Sequence, residues 1–147
     1  MPAQMLLGLA AIVVVCFTLA WWLGPSSAAS ASAQLTDLSD ATFVEIRTLG
    51  GDVAMSGELR DRVDLLGNIE KDAALLGAHS DRVIGEIEIE IPREGSSDPR
   101  QELEVDVISL QPSTAYQVVV NDRPVATFHT DDRGSVDIEF VSAPHRP

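Results

Sequence analysis

Residues Val83 to Ile91 read Val-Ile-Gly-Glu-Ile-Glu-Ile-Glu-Ile, and this stretch decides the fold class. Apolar and acidic side chains alternate with a period of two, which is typical of a β-strand with one buried face. The stretch at 101–110 alternates in the same way, and the intervening residues 92–100 have the Gly, Ser and Pro content of a loop. We therefore expect two neighbouring antiparallel strands.

This pairing would crowd six carboxylates onto one solvent-facing side of the sheet. The six are Glu86, Glu88, Glu90, Glu102, Glu104 and Asp106. Like charges directly opposite each other destabilise a sheet, so the pattern favours either bound cations, calcium among them, or a basic partner. A solvated face that blocks aggregation is the simpler interpretation, because sheet carboxylates without backbone carbonyls make a poor calcium cage.

The rest of the chain after residue 34 predicts further short strands. The segment 42–47 alternates, a Gly-Gly-Asp turn follows, and 53–57 is its expected hairpin partner. Three more strands are expected at 116–120, 125–130 and 136–141, separated by turns at 121–124 and 131–134. The fold class is therefore mainly β, an Ig-like or related antiparallel β-sandwich or meander.

The segment 58–77 is ambiguous. Leu59, Val63 and Leu66 recur at helical spacing, and Gly67 and Gly77 each follow a Leu-Leu pair as helix stops. These features predict one or two short helices. A strand with a long loop is the alternative.

An uncharged apolar stretch at 5–23 predicts an N-terminal hydrophobic helix, and about 28 Å of helix matches the hydrocarbon thickness of a bilayer. Trp21 and Trp22 favour an uncleaved membrane anchor. The small residues of Ala31-Ser32-Ala33 favour a signal peptide cleaved before Gln34. Both alternatives predict a leader with a Ser/Ala-rich connector at 1–33 and an exported β domain at 34–147, either secreted or periplasmic, or anchored outside the membrane.

The charge of the chain limits its partners. The net charge is −13, and every charged residue lies at or after Asp37. This excess argues against nucleic acid and anionic membrane surfaces as partners, so membrane contact is expected only through residues 5–23, if these are not removed. A protein partner with a basic surface is compatible with this negative charge. Because Cys16 is the only cysteine, the exported part has no disulfide.

The segment Leu110-Gln-Pro-Ser-Thr-Ala-Tyr116-Gln-Val-Val-Val120 resembles the tyrosine-corner signature of fibronectin type III and related Ig-like domains. The resemblance implies a structural role for Tyr116, whose hydroxyl would bond a nearby backbone group. The chain departs from that pattern afterwards, because two further strands are expected where a fibronectin domain has essentially one.

The segment from Tyr116 to Val136 is also similar to the extracytoplasmic β domain of membrane-bound anti-sigma factors and to repeats of uncharacterised secreted bacterial proteins. The resemblance implies a non-catalytic module outside the membrane. Those anti-sigma factors hold the sigma factor through a cytoplasmic domain before the membrane helix. Only residues 1–4 precede the apolar stretch here, so that activity is not expected to carry over.

No catalytic motif accompanies these features. Ser56 and Ser109 lie in no nucleophile-elbow pattern, and no His/Asp partner is identifiable for them. We therefore expect no enzyme and no cofactor apart from possible calcium. The expected function is a structural or protein-interaction role at the cell envelope, and the alternative is a divalent-cation-binding exported protein.

Overall fold

The computed structural model describes residues 31–35, 37–79 and 82–142, and this part of the chain is mainly β. The described residues form ten antiparallel strands and contain no helix. The mainly β antiparallel prediction is therefore confirmed. The apolar stretch at 5–23 lies outside the described residues, and within them no helix is long and apolar enough to cross a bilayer.

The strands follow one another along the chain as short elements joined by turns and loops. They are β1 (Ser32–Ala33), β2 (Phe43–Thr48), β3 (Val53–Glu58), β4 (Arg60–Val63), β5 (Ile69–Gly77), β6 (Val83–Ile91), β7 (Glu102–Val107), β8 (Ala115–Val120), β9 (Arg123–His129) and β10 (Val136–Val141). Their order in the sheet is β1-β9-β8-β2-β3-β5-β6-β7-β10, with β4 paired to β5 beside β3. Because β1 pairs with β9 and also contacts β10, the sheet nearly closes on itself.

The inward-facing side chains of the sheet form one apolar core. Along β6, Ile87 and Ile89 are fully buried, whereas the glutamates that alternate with them lie on the opposite face. The period of two in the sequence thus reflects a sheet with one dry face and one wet face. Fully buried side chains from other strands complete the core. Among these are Val44, Ile46, Met55, Leu75, Leu103, Val105, Val107, Val118 and Phe128.

The short helices predicted within 58–77 are wrong, because this segment forms β4 and β5. The helical spacing of Leu59, Val63 and Leu66 is accidental: Leu59 is buried, but Val63 and Leu66 are 66% and 71% exposed. These three residues therefore share no buried face. The real pattern is the period of two along β5, where Lys71 and Ala73 point inwards. A lysine at an inward position hides that pattern from hydropathy.

The turn at Asp131 does not form a hairpin, although Asp and Gly residues are typical of hairpin turns. It joins β9 to β10, yet β9 pairs with β8 and β1, whereas β10 pairs with β7. The Asp131 carboxylate accepts hydrogen bonds from the backbone N–H groups of Arg133 and Ser135, both at 2.8 Å. The carbonyl of Gly134 accepts one from Leu110 N–H at 3.0 Å. The turn carries the chain from one end of the strand order to the other.

The predicted boundary at residue 34 falls next to β1. Ser32 and Ala33 pair with Thr127 and Ala126 of β9, and Gln34 N–H donates to the Val125 carbonyl at 2.8 Å. Two residues of the predicted leader are thus part of the sheet.

Candidate functional site: an acidic sheet face

The two alternating stretches of the sequence are neighbours in the sheet. β6 pairs antiparallel with β7, and three carboxylate pairs face each other directly across the two strands. They are Glu86 with Asp106, Glu88 with Glu104, and Glu90 with Glu102. The structure therefore brings together all six carboxylates singled out in the sequence.

The acidic surface extends beyond these two strands. On β5, Glu70 lies opposite Glu90 and Asp72 lies opposite Glu88. On β10, Asp137 lies opposite Asp106 and Glu139 lies opposite Glu104. The resulting set of ten carboxylates is called the acidic face below. Its members are Glu70, Asp72, Glu86, Glu88, Glu90, Glu102, Glu104, Asp106, Asp137 and Glu139.

Like charges meet directly across strands at seven positions of this face: three between β6 and β7, two between β5 and β6, and two between β7 and β10. Like charges directly opposite each other destabilise a sheet, and dissolved salt screens part of this repulsion. The fold therefore maintains the acidic face at a cost in stability.

Positive charge borders the face along β4. Arg62 of β4 lies opposite Glu70, and its Nε donates to Glu70 Oε2 at 2.9 Å. Arg60 lies opposite Asp72 in the same pairing. The charge of β5 is thereby partly compensated, because opposite charges facing each other stabilise a sheet. The excess negative charge is greatest over β6, β7 and β10.

Glu90 is the member of the face whose titration is most affected by its surroundings. Its partial burial raises the pKa, and the neighbouring carboxylates, Glu102 first and then Asp64 and Glu70, raise it further. Asn68 Nδ2 donates to Glu90 Oε1 at 3.2 Å and to Asp64 Oδ2 at 2.9 Å, which connects the β4–β5 turn to this end of the face. Protonation of Glu90 is thus favoured by its burial and by the crowding of charge.

The carboxylates of the acidic face are distributed over the sheet and do not converge on one metal-binding point. Among the residues that the structure describes, no three His, Cys, Asp or Glu side chains converge on a point where they could hold a metal ion. Calcium prefers six to eight oxygens around one centre, often including backbone carbonyls. Calcium binding by Glu86, Glu88, Glu90, Glu102, Glu104 and Asp106 stays a prediction.

Tyr116 lies on β8 and faces the core. Its side chain is buried, and its hydroxyl accepts a hydrogen bond from the backbone N–H of Gln111 at 3.2 Å. Its ring stacks on Phe128 with 6.0 Å between the ring centroids. Tyr116 thereby connects the loop before β8 to the sheet. It belongs to none of the four strands that carry the acidic face.

Sequence reasoning missed a groove that adjoins the acidic face. It occupies about 440 Å³ and is lined by Phe43, Ser56, Gly57, Glu58, Arg60, Asp72, Ala74 and Leu76. It lies where the pairing of β3 with β5 stops and that of β4 with β5 begins. Since Asp72 belongs both to this lining and to the acidic face, the two surfaces are continuous. The groove depends on a gap in strand pairing, and the pattern of apolar and polar residues in the sequence does not show such a gap.

Sequence reasoning also missed a buried lysine, paired with an exposed aspartate, on the opposite side of β4 and β5. Lys71 is 2% exposed and lies opposite Asp61. Its Nζ donates to Asp61 Oδ1 at 2.7 Å and to the Ala41 carbonyl at 3.1 Å. Both contacts satisfy the only buried ammonium group of the described residues.

Comparison with known proteins assigns no family to this fold. The chain matches no protein-family model, no characterised protein and no solved structure.

Proposed function

We propose that this protein is a non-catalytic exported β module at the cell envelope, and that its acidic face binds a basic surface of a partner protein. The observation that carries the proposal is the set of seven directly opposed carboxylate pairs on one face of the sheet. A surface that costs stability in the isolated protein is expected to be stabilised when a partner supplies the opposite charge.

Charge complementarity explains the chemistry of the proposed partner. Lysine and arginine side chains placed over β6 and β7 would sit between opposed carboxylates and replace repulsion by attraction. Such surfaces steer association and select partners by sign, and their binding weakens as salt is added.

The proposal includes export of the protein and an Ig-like relationship of its fold. Export is supported by the uncharged stretch at 5–23 and by the small residues around Ala31. An Ig-like relationship is supported by Tyr116, whose hydroxyl bonds the backbone at Gln111 in the manner of a tyrosine corner. A likeness to the outer domains of anti-sigma factors would fit a module that receives a protein on the outside of the membrane.

Thermal melts separate this function from divalent-cation binding. A ligand that binds only the folded state must raise the melting temperature, and a peptide of about ten lysines is the simplest basic probe. We expect the lysine peptide to raise the midpoint at low salt and a matched glutamate peptide to leave it unchanged. A midpoint that rises with millimolar calcium at constant ionic strength, and not with the lysine peptide, would overturn the proposal in favour of cation binding.

A further inference from the structure

The groove beside the acidic face arises from an interruption in strand pairing. β3 pairs with β5 up to Ser56 and Leu76, and β4 pairs with β5 from Arg60 and Asp72 onwards. The register is the same on both sides of the gap, so β3 and β4 are one strand that leaves β5 for three residues and then rejoins it. The interruption opens the outer surface of the sheet without shifting its register.

On the side away from β5, the backbone at the gap stays bonded to β2 and to the residue before it. Leu59 is buried in the core, and its N–H donates to the Thr42 carbonyl at 2.9 Å. Gly57 lies at the edge of the gap, where a Cβ would be only 2.6 Å from the Ala74 carbonyl oxygen. The absence of a side chain at Gly57 therefore lets the backbones of β3 and β5 approach closely at the start of the gap.

The walls of the groove combine exposed apolar surface with charge. Phe43 and Leu76 are 39% and 40% exposed, although both are large apolar residues on the sheet. Glu58 and Asp72 supply negative charge at the rim, with Arg60 as the cation of the lining. The volume of about 440 Å³ is ample for one aliphatic side chain. Such a lining suits an apolar side chain flanked by basic ones.

We infer that the groove is an anchor site for one aliphatic side chain of an extended basic segment that continues across the acidic face. The inference rests on the proposed function and adds the sequence class of the partner: an apolar residue followed by lysine or arginine at alternate positions. It is carried by charge complementarity and by Asp72, which is shared by the groove and the acidic face.

Strand spacing gives the expected pattern of the segment. Asp72, Glu88 and Glu104 lie opposite one another on β5, β6 and β7, so they are about 5 Å apart from strand to strand. In an extended peptide, alternate side chains on one side are about 6.6 Å apart. The row lies four residues along β5 from Leu76, so cationic side chains four and six positions after the anchor, about 13 and 20 Å away, would reach Glu88 and Glu104.

Two synthetic peptides test the anchor. One reads Leu-Ser-Lys-Ser-Lys-Ser-Lys and the other replaces the leucine by alanine, so that they differ in one apolar side chain and carry the same charge. We expect the full chain to bind the leucine peptide about fivefold more tightly, since burying a few methylene groups in an open groove contributes that much. The measurement is fluorescence anisotropy of labelled peptides at low salt.

Substitutions at two exposed leucines locate the effect. Leu76→Ser should abolish the preference for the leucine peptide and leave the affinity for the alanine peptide unchanged, which also shows that the variant is folded. Leu49→Ser is the matched control, because Leu49 is 63% exposed in the β2–β3 turn, outside the groove lining. It should keep the full preference.

The outcomes distinguish the anchor from the acidic face. If both peptides bind equally well, or if Leu49→Ser removes the preference as Leu76→Ser does, the anchor site is contradicted and the acidic face stands. If neither peptide binds the unaltered protein, the proposed function itself fails. If Leu76→Ser unfolds the chain, Leu76→Ala is to be measured instead, with a reduced preference expected and an unchanged one contradicting the inference.

Discussion

Glu88 on β6 lies directly opposite Glu104 on β7, and their row continues to Asp72 on β5 and Glu139 on β10. Four acidic side chains thus follow one another across four neighbouring strands. Directly opposed like charges weaken a sheet, so this row is the centre of a surface that costs stability in isolation. Stability and binding should both respond when its charge is changed.

Acid and salt should stabilise the protein. Burial and nearby carboxylates raise the pKa of Glu90 above its value in the unfolded chain. The stability that Glu90 contributes is therefore fully present below the unfolded pKa, and it is lost as the pH rises through the folded pKa. Backbone N–H groups of Ser135 and Arg133 lower the pKa of Asp131, whose contribution is lost as pH falls through the folded value. Maximum stability is therefore expected in mildly acidic solution, above the ordinary pKa of Asp131 and below the raised pKa of Glu90.

Urea unfolding measures this dependence. The free energy of unfolding should rise from about pH 7 to about pH 5 and fall again below about pH 4. At neutral pH it should also rise when salt is increased from about 0.05 to about 0.5 M, because the Debye length shortens. A free energy of unfolding that falls steadily with acid and is indifferent to salt would contradict a repulsive face.

Neutralising the central pair should stabilise the isolated protein. The double variant Glu88→Gln/Glu104→Gln removes direct repulsion within the row and should raise the free energy of unfolding at neutral pH and low salt by about 0.5–2 kcal/mol. The matched control is Asp52→Asn/Asp132→Asn, which changes the net charge equally at two exposed turn positions. Equal stabilisation by both variants would mean that only the total charge matters.

The Lys71–Asp61 pair should respond asymmetrically to substitution. Asp61→Asn leaves the buried Lys71 ammonium without its carboxylate and should cost about 1–3 kcal/mol in urea unfolding. Lys71→Met leaves only Asp61, whose side chain is 63% exposed, and should cost less. If Lys71→Met costs more than Asp61→Asn, then packing or the bond to the Ala41 carbonyl dominates this site.

Tyr116→Phe should destabilise the protein modestly without affecting the acidic face. The substitution keeps the stacking on Phe128 and removes the acceptor of the Gln111 N–H, so about 0.5–1.5 kcal/mol should be lost in urea unfolding. Affinity for lysine peptides should stay unchanged, since Tyr116 lies in the core. Weaker peptide binding by a folded Tyr116→Phe protein would refute its purely structural role.

The parts of the fold that could be predicted from the sequence are those with a clear period of two. β6 and β10 have the bounds that the alternation predicts, and the pairing of β6 with β7 follows from the short loop between them. Sequence proximity does not reveal long-range neighbours. The positions of β5 and β10 beside β6 and β7, which enlarge the acidic face from six to ten carboxylates, depend on how the sheet curls.

The failures also have physical causes. Lys71 occupies an inward position because Asp61 and the Ala41 carbonyl satisfy its ammonium group, and hydropathy alone therefore misjudges β5. The turn at Asp131 has hairpin composition, but β1 occupies the free edge of β9 and β10 pairs with β7, so β9 and β10 are not neighbours. In both places tertiary contacts outweigh local preference.

The most direct test of the central claim compares peptide affinities of two variants of equal charge. A peptide of about ten lysines is titrated at low salt against the unaltered protein, Glu88→Gln/Glu104→Gln and Asp52→Asn/Asp132→Asn. If the acidic face is the binding surface, the first variant should bind about fivefold more weakly than the second. Equal affinities of the two variants would show that the peptide senses only the net charge, and would contradict the account.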